Sequence, residues 1–173
     1  MTRTQKTIAS VFALVLLPLT AMHAQTAGKT ELLPATEVAR VMPAQVWFHN
    51  QFANTQQRNS AAVRFQDGSL VEAALVDTGG YSTAVRETYQ FYLLTDSSLR
   101  VGDKELAPGA YGCGFLPDRG FLVMDLGAHE MWHVPVVHDN AMARPRPLQM
   151  TVEPGNGELR LYVGRDYVAL RRK

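Results

Sequence analysis

The chain has 173 residues, 46% of them hydrophobic and 19% charged, with 17 Lys plus Arg against 16 Asp plus Glu. That near-neutral balance excludes a nucleic-acid binder working through a basic excess, and the apolar content excludes a disordered chain. The length suits one domain with a self-sufficient core, which must stand without an intrachain disulfide because Cys113 is the only cysteine.

Residues 1–24 have the three-part layout of a secretory signal peptide. Arg3 and Lys6 supply the positive start, Ile8 to Leu19 is apolar apart from Ser10 and Pro18, and Ala21-Met22-His23-Ala24 offers small residues for cleavage before Gln25. The apolar run is shorter than the roughly 20 residues a spanning helix needs. No cysteine lies near the cleavage point, so the expectation is an exported protein, periplasmic or extracellular, that is not a lipoprotein and has no membrane span after cleavage.

Residues 25–43 are predicted as an N-terminal segment: a polar, unpatterned lead-in over Gln25–Leu33, then a short helix over Pro34–Met42. Pro34 is tolerated in a first helical turn, and Pro43 stops the helix. From residue 44 to 173 short alternating runs separated by turn residues predict one antiparallel β-sandwich or flattened barrel of about nine strands.

Val46-Trp47-Phe48-His49 reads as an aromatic-rich strand, with Trp47 and Phe48 assigned to the core. Ala61–Gln66 and Ser69–Asp77 flank Asp67-Gly68, a hairpin turn signal. Thr88–Thr95 places Tyr89, Phe91 and Leu93 on one face and Tyr92 and Leu94 on the other, which predicts a central strand. Pro108-Gly109 is predicted to turn the chain from a strand over Leu99–Leu106 into one over Ala110–Leu116. Arg119–Leu126, Leu148–Val152 and Glu158–Arg171 complete the set.

The last of these is a hairpin with a definite register. A two-residue turn at Gly164-Arg165 pairs Val163 with Asp166, Tyr162 with Tyr167, Leu161 with Val168, Arg160 with Ala169 and Leu159 with Leu170. Leu159, Leu161, Val168 and Leu170 then share one face, and a slip of one residue would expose all four.

Two short stretches have the spelling of catalytic motifs. His129-Glu130-Met131-Trp132-His133 resembles the H-E-x-x-H string of zinc proteases, in which one helical turn brings both imidazoles to a zinc ion and the Glu activates its water. The resemblance covers these five residues and implies metal ligands at His129 and His133 and Glu130 as catalytic base; a third ligand would have to come from His138, Asp139 or the distant His49, and no spacing rule favours any of them. Gly127 before the string and Pro135 after it leave room for under two helical turns, and Val134 is pushed toward extended geometry by the proline. On a strand the two histidines would lie about 13 Å apart. No metal site is therefore assigned.

Ala74-Leu75-Val76-Asp77-Thr78-Gly79 resembles the active-site loop of retroviral-type aspartic proteases, and Tyr162-Val163-Gly164-Arg165-Asp166 resembles the apolar-apolar-Gly segment that supports it. The resemblance implies Asp77 as a catalytic carboxylate sharing a proton with a second copy. Two departures stand out: Gly80 replaces the usual small side chain after the loop, and a hairpin replaces the helix that follows the supporting Gly. Asp-Thr-Gly-Gly is also ordinary turn chemistry at a strand end.

In Tyr111-Gly112-Cys113-Gly114-Phe115 one strand face carries Tyr111, Cys113 and Phe115, while Gly112 and Gly114 leave the other bare. Such a face admits a close neighbour: a ligand, an aromatic ring or the Pro34–Met42 helix. Cys113 reads as a small buried hydrophobe, and Arg144-Pro145-Arg146-Pro147 as a solvated, extended loop. There is no phosphate-binding glycine loop and no nucleophile elbow. The sequence thus predicts a non-catalytic binding or structural module of a bacterial-type cell envelope, without cofactor, whose partner is an envelope protein or a small molecule. The alternative is a protease, aspartic-type through Asp77 or zinc-dependent through His129, Glu130 and His133.

Overall fold

In a computed structural model, residues 30–155 and 158–173 are described; the predicted signal peptide and the start of the lead-in lie outside them. The chain runs β1 (Glu31–Leu32), α1 (Ala35–Val41), β2 (Gln45–Phe48), β3 (Gln51–Arg64), β4 (Leu70–Val76), α2 (Thr83–Thr88) and β5 (Phe91–Thr95). It continues through β6 (Leu99–Val101), β7 (Lys104–Leu106), β8 (Gly109–Leu116), β9 (Gly120–Met124) and β10 (Glu130–Val134). The last elements are β11 (Val137–His138), β12 (Arg146–Val152), β13 (Leu159–Gly164) and β14 (Asp166–Arg172).

The fold is all-β, in two antiparallel sheets that pack as a sandwich. One has the order β1-β3-β4-β5-β8-β9-β10, with β2 bonded to β3; the other has β12-β13-β14-β6-β7, with β11 bonded to β14. Among the described residues no helix is long and apolar enough to cross a membrane.

Local chemistry explains several elements directly. Pro34 occupies the N-cap of α1 in extended geometry and Pro43 follows its C-cap, Met42. Between β3 and β4 the turn closes through Gly68 N–H to Phe65 O (2.9 Å) and Phe65 N–H to Ser69 O (2.8 Å), with Gly68 at φ 89°. Positive φ is a conformation that glycine adopts without steric cost. The terminal hairpin has the predicted register at all of its pairs, from Val163 with Asp166 to Leu159 with Leu170.

Elsewhere the structure departs from expectation. The predicted strand over Leu99–Leu106 is a hairpin, β6 and β7, folded at Gly102 (φ 60°). Pro108-Gly109 therefore does not turn a hairpin; it carries the chain from β7 in one sheet to β8 in the other. The polar run ahead of Ala61 belongs to β3, a strand of 14 residues. A second helix, α2, occupies the start of the predicted strand over Thr88–Thr95, with Ser82 Oγ accepting from Val85 N–H at 3.5 Å. What remains, β5, is central as expected, between β4 and β8.

The main core lies between the sheets. Val71, Ala73, Phe91, Leu93, Cys113 and Val123 meet Leu99, Leu159, Leu161 and Leu170, all essentially inaccessible. Alternation puts the other side chains of β4, β5 and β9 on the outer face of the larger sheet, which is covered by the chain itself. Ala62 and Ala74 let Val38 and Met42 of the α1 segment approach closely. Further along, Phe48, Tyr81, Tyr89, Tyr92, Leu122 and Met124 form an aromatic-rich cluster. Tyr89 thus lies opposite to Phe91, not beside it, because it caps α2 and is outside the strand.

Candidate functional site

The H-E-x-x-H residues do not lie on a helix. Glu130 to His133 lie on β10, an edge strand with a bulge between Glu130 and Trp132. His129 precedes it in a tight turn, its Nδ1 3.1 Å from Asp125 Oδ2 and its N–H donating to Asp125 Oδ1. Glu130 accepts from Arg119 at 2.7 Å and shares a hydrogen bond with His133 Nδ1 at 2.8 Å. His138 lies in the other sheet, 2.6 Å from Asp166 Oδ1. Among the described residues no group of three or more His, Cys, Asp and Glu is gathered as a metal-ligand set. The turn and the bulge pair each imidazole with a different carboxylate, His129 with Asp125 and His133 with Glu130.

Asp77 follows β4 in an exposed turn. Its N–H donates to Asn54 O at 2.9 Å, and its Oδ1 accepts from Gly79 N–H at 3.1 Å. The segment resembling the supporting strand of an aspartic protease is the β13–β14 turn, which belongs to the other sheet. The bare strand face at Gly112 and Gly114 is filled from within the chain. A Cβ on Gly112 would overlap the Phe48 ring, and one on Gly114 would overlap the Thr88 carbonyl oxygen at the end of α2. The short helix α1 is not the covering element. His49 and Asn50, at φ 46° and 63°, form the tip of the β2–β3 hairpin, and Trp47 is 42% exposed where the core was expected.

The residues that do converge come from the polar run of β3 and the Arg-Pro-Arg-Pro stretch. Arg58 of β3, Arg144 of the preceding loop and Arg146 of β12 line a groove of about 360 Å³ at the seam between the sheets. Its apolar bed is formed by Leu32, Leu33, Val38, Leu148 and Met150. The volume falls in the range of small-molecule sites, roughly 300–1,000 Å³.

The loop carrying Arg144 is held by a chain of hydrogen bonds. Asp139 N–H donates to Arg165 O (2.9 Å), Tyr162 Oη to Asp139 Oδ2 (3.0 Å), and Arg165 Nη1 to Met142 O (2.6 Å). Pro145 and Pro147 fix their own φ and remove donors from this edge; Arg144 lies in the bend before it and Arg146 begins the extended run of β12. The register of β12 against β13 shifts between Arg146 and Gln149, which re-aims the start of the strand.

The groove is electropositive because nearby acids are engaged elsewhere. Glu31 and Glu37 both bind Arg64, at 3.1 and 3.2 Å. Arg58, Arg144 and Arg146 have no carboxylate partner among the described residues. Thr151 also borders the groove, with its side chain on the face of β12 opposite Leu148 and Met150. Sequence reading placed Arg144 and Arg146 in a solvated loop and passed over Arg58, whose neighbours gave no alternation to mark a strand. The spacing of the two arginines between prolines was the available signal.

Comparison with known proteins finds no matching family model, no similar curated protein and no similar solved structure.

Proposed function

We propose that the protein is an exported, non-catalytic binding module of the cell envelope or its exterior, and that the arginine groove takes an anionic amphiphile. The acidic group, a carboxylate, phosphate or sulfate, bonds to Arg58, Arg144 and Arg146, and the apolar part lies along Leu32 and Leu33. The observation that carries this reading is the gathering of three arginines without carboxylate partners among the described residues around one groove with an apolar bed. A guanidinium bonded to an anion is worth about 1.5 kcal/mol or more, so each contributes roughly tenfold in affinity. The signal-peptide layout of residues 1–24 supports export.

Calorimetric titration of the mature chain with decanoate, decyl phosphate and decyl sulfate, at low and high salt, tests the groove. Saturable binding that weakens with salt, and at least a hundredfold in the combined Arg58→Gln, Arg144→Gln, Arg146→Gln variant, is expected. Binding that is absent, or unchanged in that variant, overturns the reading. Turnover of a peptide-substrate panel abolished by Asp77→Ala or Glu130→Ala would replace it with the protease alternative. N-terminal sequencing of exported protein, beginning at Gln25, checks the leader.

A further inference from the structure

The other flank of α1 borders a second cavity, of about 590 Å³, with walls from Val41, Pro43, Leu94 and Pro108 and acids from Glu72 and Asp96. Glu72 is out of place by pattern. It sits on β4 in register between Ala62 of β3 and Leu94 of β5, and its outward neighbours on the same strand are Leu70 and Ala74. The residue is 7% exposed, and its Oε2 is buried without a hydrogen-bond partner. A central, covered strand position normally carries an apolar side chain, because an unsatisfied buried polar group costs about 1–3 kcal/mol and a charged one more.

Neither Glu72 nor Asp96 has an ion-pair partner among the described residues. Asp96 Oδ2 accepts from Leu70 N–H at 3.1 Å, which fixes that carboxylate at the rim. The missing chemistry is a cation. Inorganic calcium needs six to eight oxygen ligands and magnesium an octahedron of them, whereas this cavity offers two carboxyls on apolar walls. A compact ammonium with three donors and an alkyl chain matches both parts of the lining.

We propose that the cavity between α1 and the β4–β5 pair is a binding site for a primary alkylammonium group, with Glu72 as the buried counter-ion and Asp96 as the rim carboxylate. The apolar chain of the amine packs on Val41, Leu94 and Pro108. Burial first, and the neighbouring Asp96 charge second, push the Glu72 carboxyl above its ordinary range, the direction expected of an acid whose positive partner is absent.

Titration calorimetry of the mature chain with butylammonium and hexylammonium chloride at pH 7.5, with sodium and calcium chloride as controls, tests this. Saturable amine binding is expected, tightening about three- to fourfold per added methylene. Glu72→Gln, which keeps the shape, is expected to lose at least tenfold, and Asp96→Asn less. Binding of decyl phosphate at the arginine groove is expected to be unchanged in both variants. Absence of amine binding, equal affinity in Glu72→Gln, or saturable calcium binding in place of amine binding overturns the proposal.

Discussion

The ring of Phe48 lies directly against the backbone of Gly112, in the space a β-carbon would fill, and stacks on Tyr89 with centroids 3.9 Å apart. The contact joins the β2–β3 hairpin to the centre of the larger sheet, and it explains why β8 alternates bulky and bare positions. Gly112→Ala is expected to destabilise the fold by about 3 kcal/mol, the upper range for overpacking a rigid core. Urea unfolding measures it. Adding Phe48→Leu should recover part of the loss, and simple additivity of the two changes would show that the ring and the glycine are not coupled.

Tyr89 is wholly buried, yet its hydroxyl has no hydrogen-bond partner. Burial drives its ionisation far above the usual phenol range. Removing an unsatisfied buried hydroxyl while keeping the ring relieves a desolvation cost. Tyr89→Phe is therefore expected to be neutral or stabilising by about 1 kcal/mol, raising the melting midpoint by up to a few degrees. A midpoint lowered by several degrees would mean that the hydroxyl is bonded in solution.

Two acids near the start of β4 make opposite pH predictions. Glu72 has a raised carboxyl in the folded state, so its contribution is fully present below the unfolded carboxyl range and is lost as pH rises through the folded value. Glu72→Gln is expected to match the parent near pH 3.5 and to exceed it in stability at pH 7–8. Asp67, before β4, is held down at about 2 by the Ser69 hydroxyl and N–H, with Arg172 adding to them. Its contribution is present above about pH 4 and fades between about pH 4 and 2, so Asp67→Asn is expected to flatten the acid limb. Denaturant midpoints across pH 3 to 8 read both; a Glu72→Gln advantage that grows toward acid would reverse the sign.

The H-E-x-x-H string on β10 makes a prediction about metal. Added zinc, or a chelator, is expected to leave the melting midpoint unchanged, since His129 is engaged by Asp125 and His133 by Glu130, and no set of three ligands is gathered among the described residues. His129→Ala and His133→Ala should each change stability by no more than about 0.5 kcal/mol, as exposed substitutions usually do. Stoichiometric zinc in the purified chain, lost together with thermal stability in both variants, would restore the motif's catalytic meaning.

Much of the fold was legible from short-range chemistry. Prolines bracket α1, Asp67-Gly68 turns β3 into β4, and the alternation of Leu159, Leu161, Val168 and Leu170 sets the terminal register, because each depends on residues near one another in the chain. The period of two also says which side chains share a face. It does not say which sheet or helix lies opposite. The change of sheet at Pro108-Gly109, the capping of Tyr89 onto Phe48, and the polar half of β3 were decided by tertiary packing, which overrides weak local preference. Both proposed sites belong to that second class. Arg58 meets Arg144 and Arg146 only because β12 crosses over β3, and Glu72 is recognisable as an unpaired acid only once α1 and the β4–β5 pair close around it. Hydrophobic alternation records burial residue by residue, whereas charge complementarity is a relation between distant segments that only the folded chain brings together.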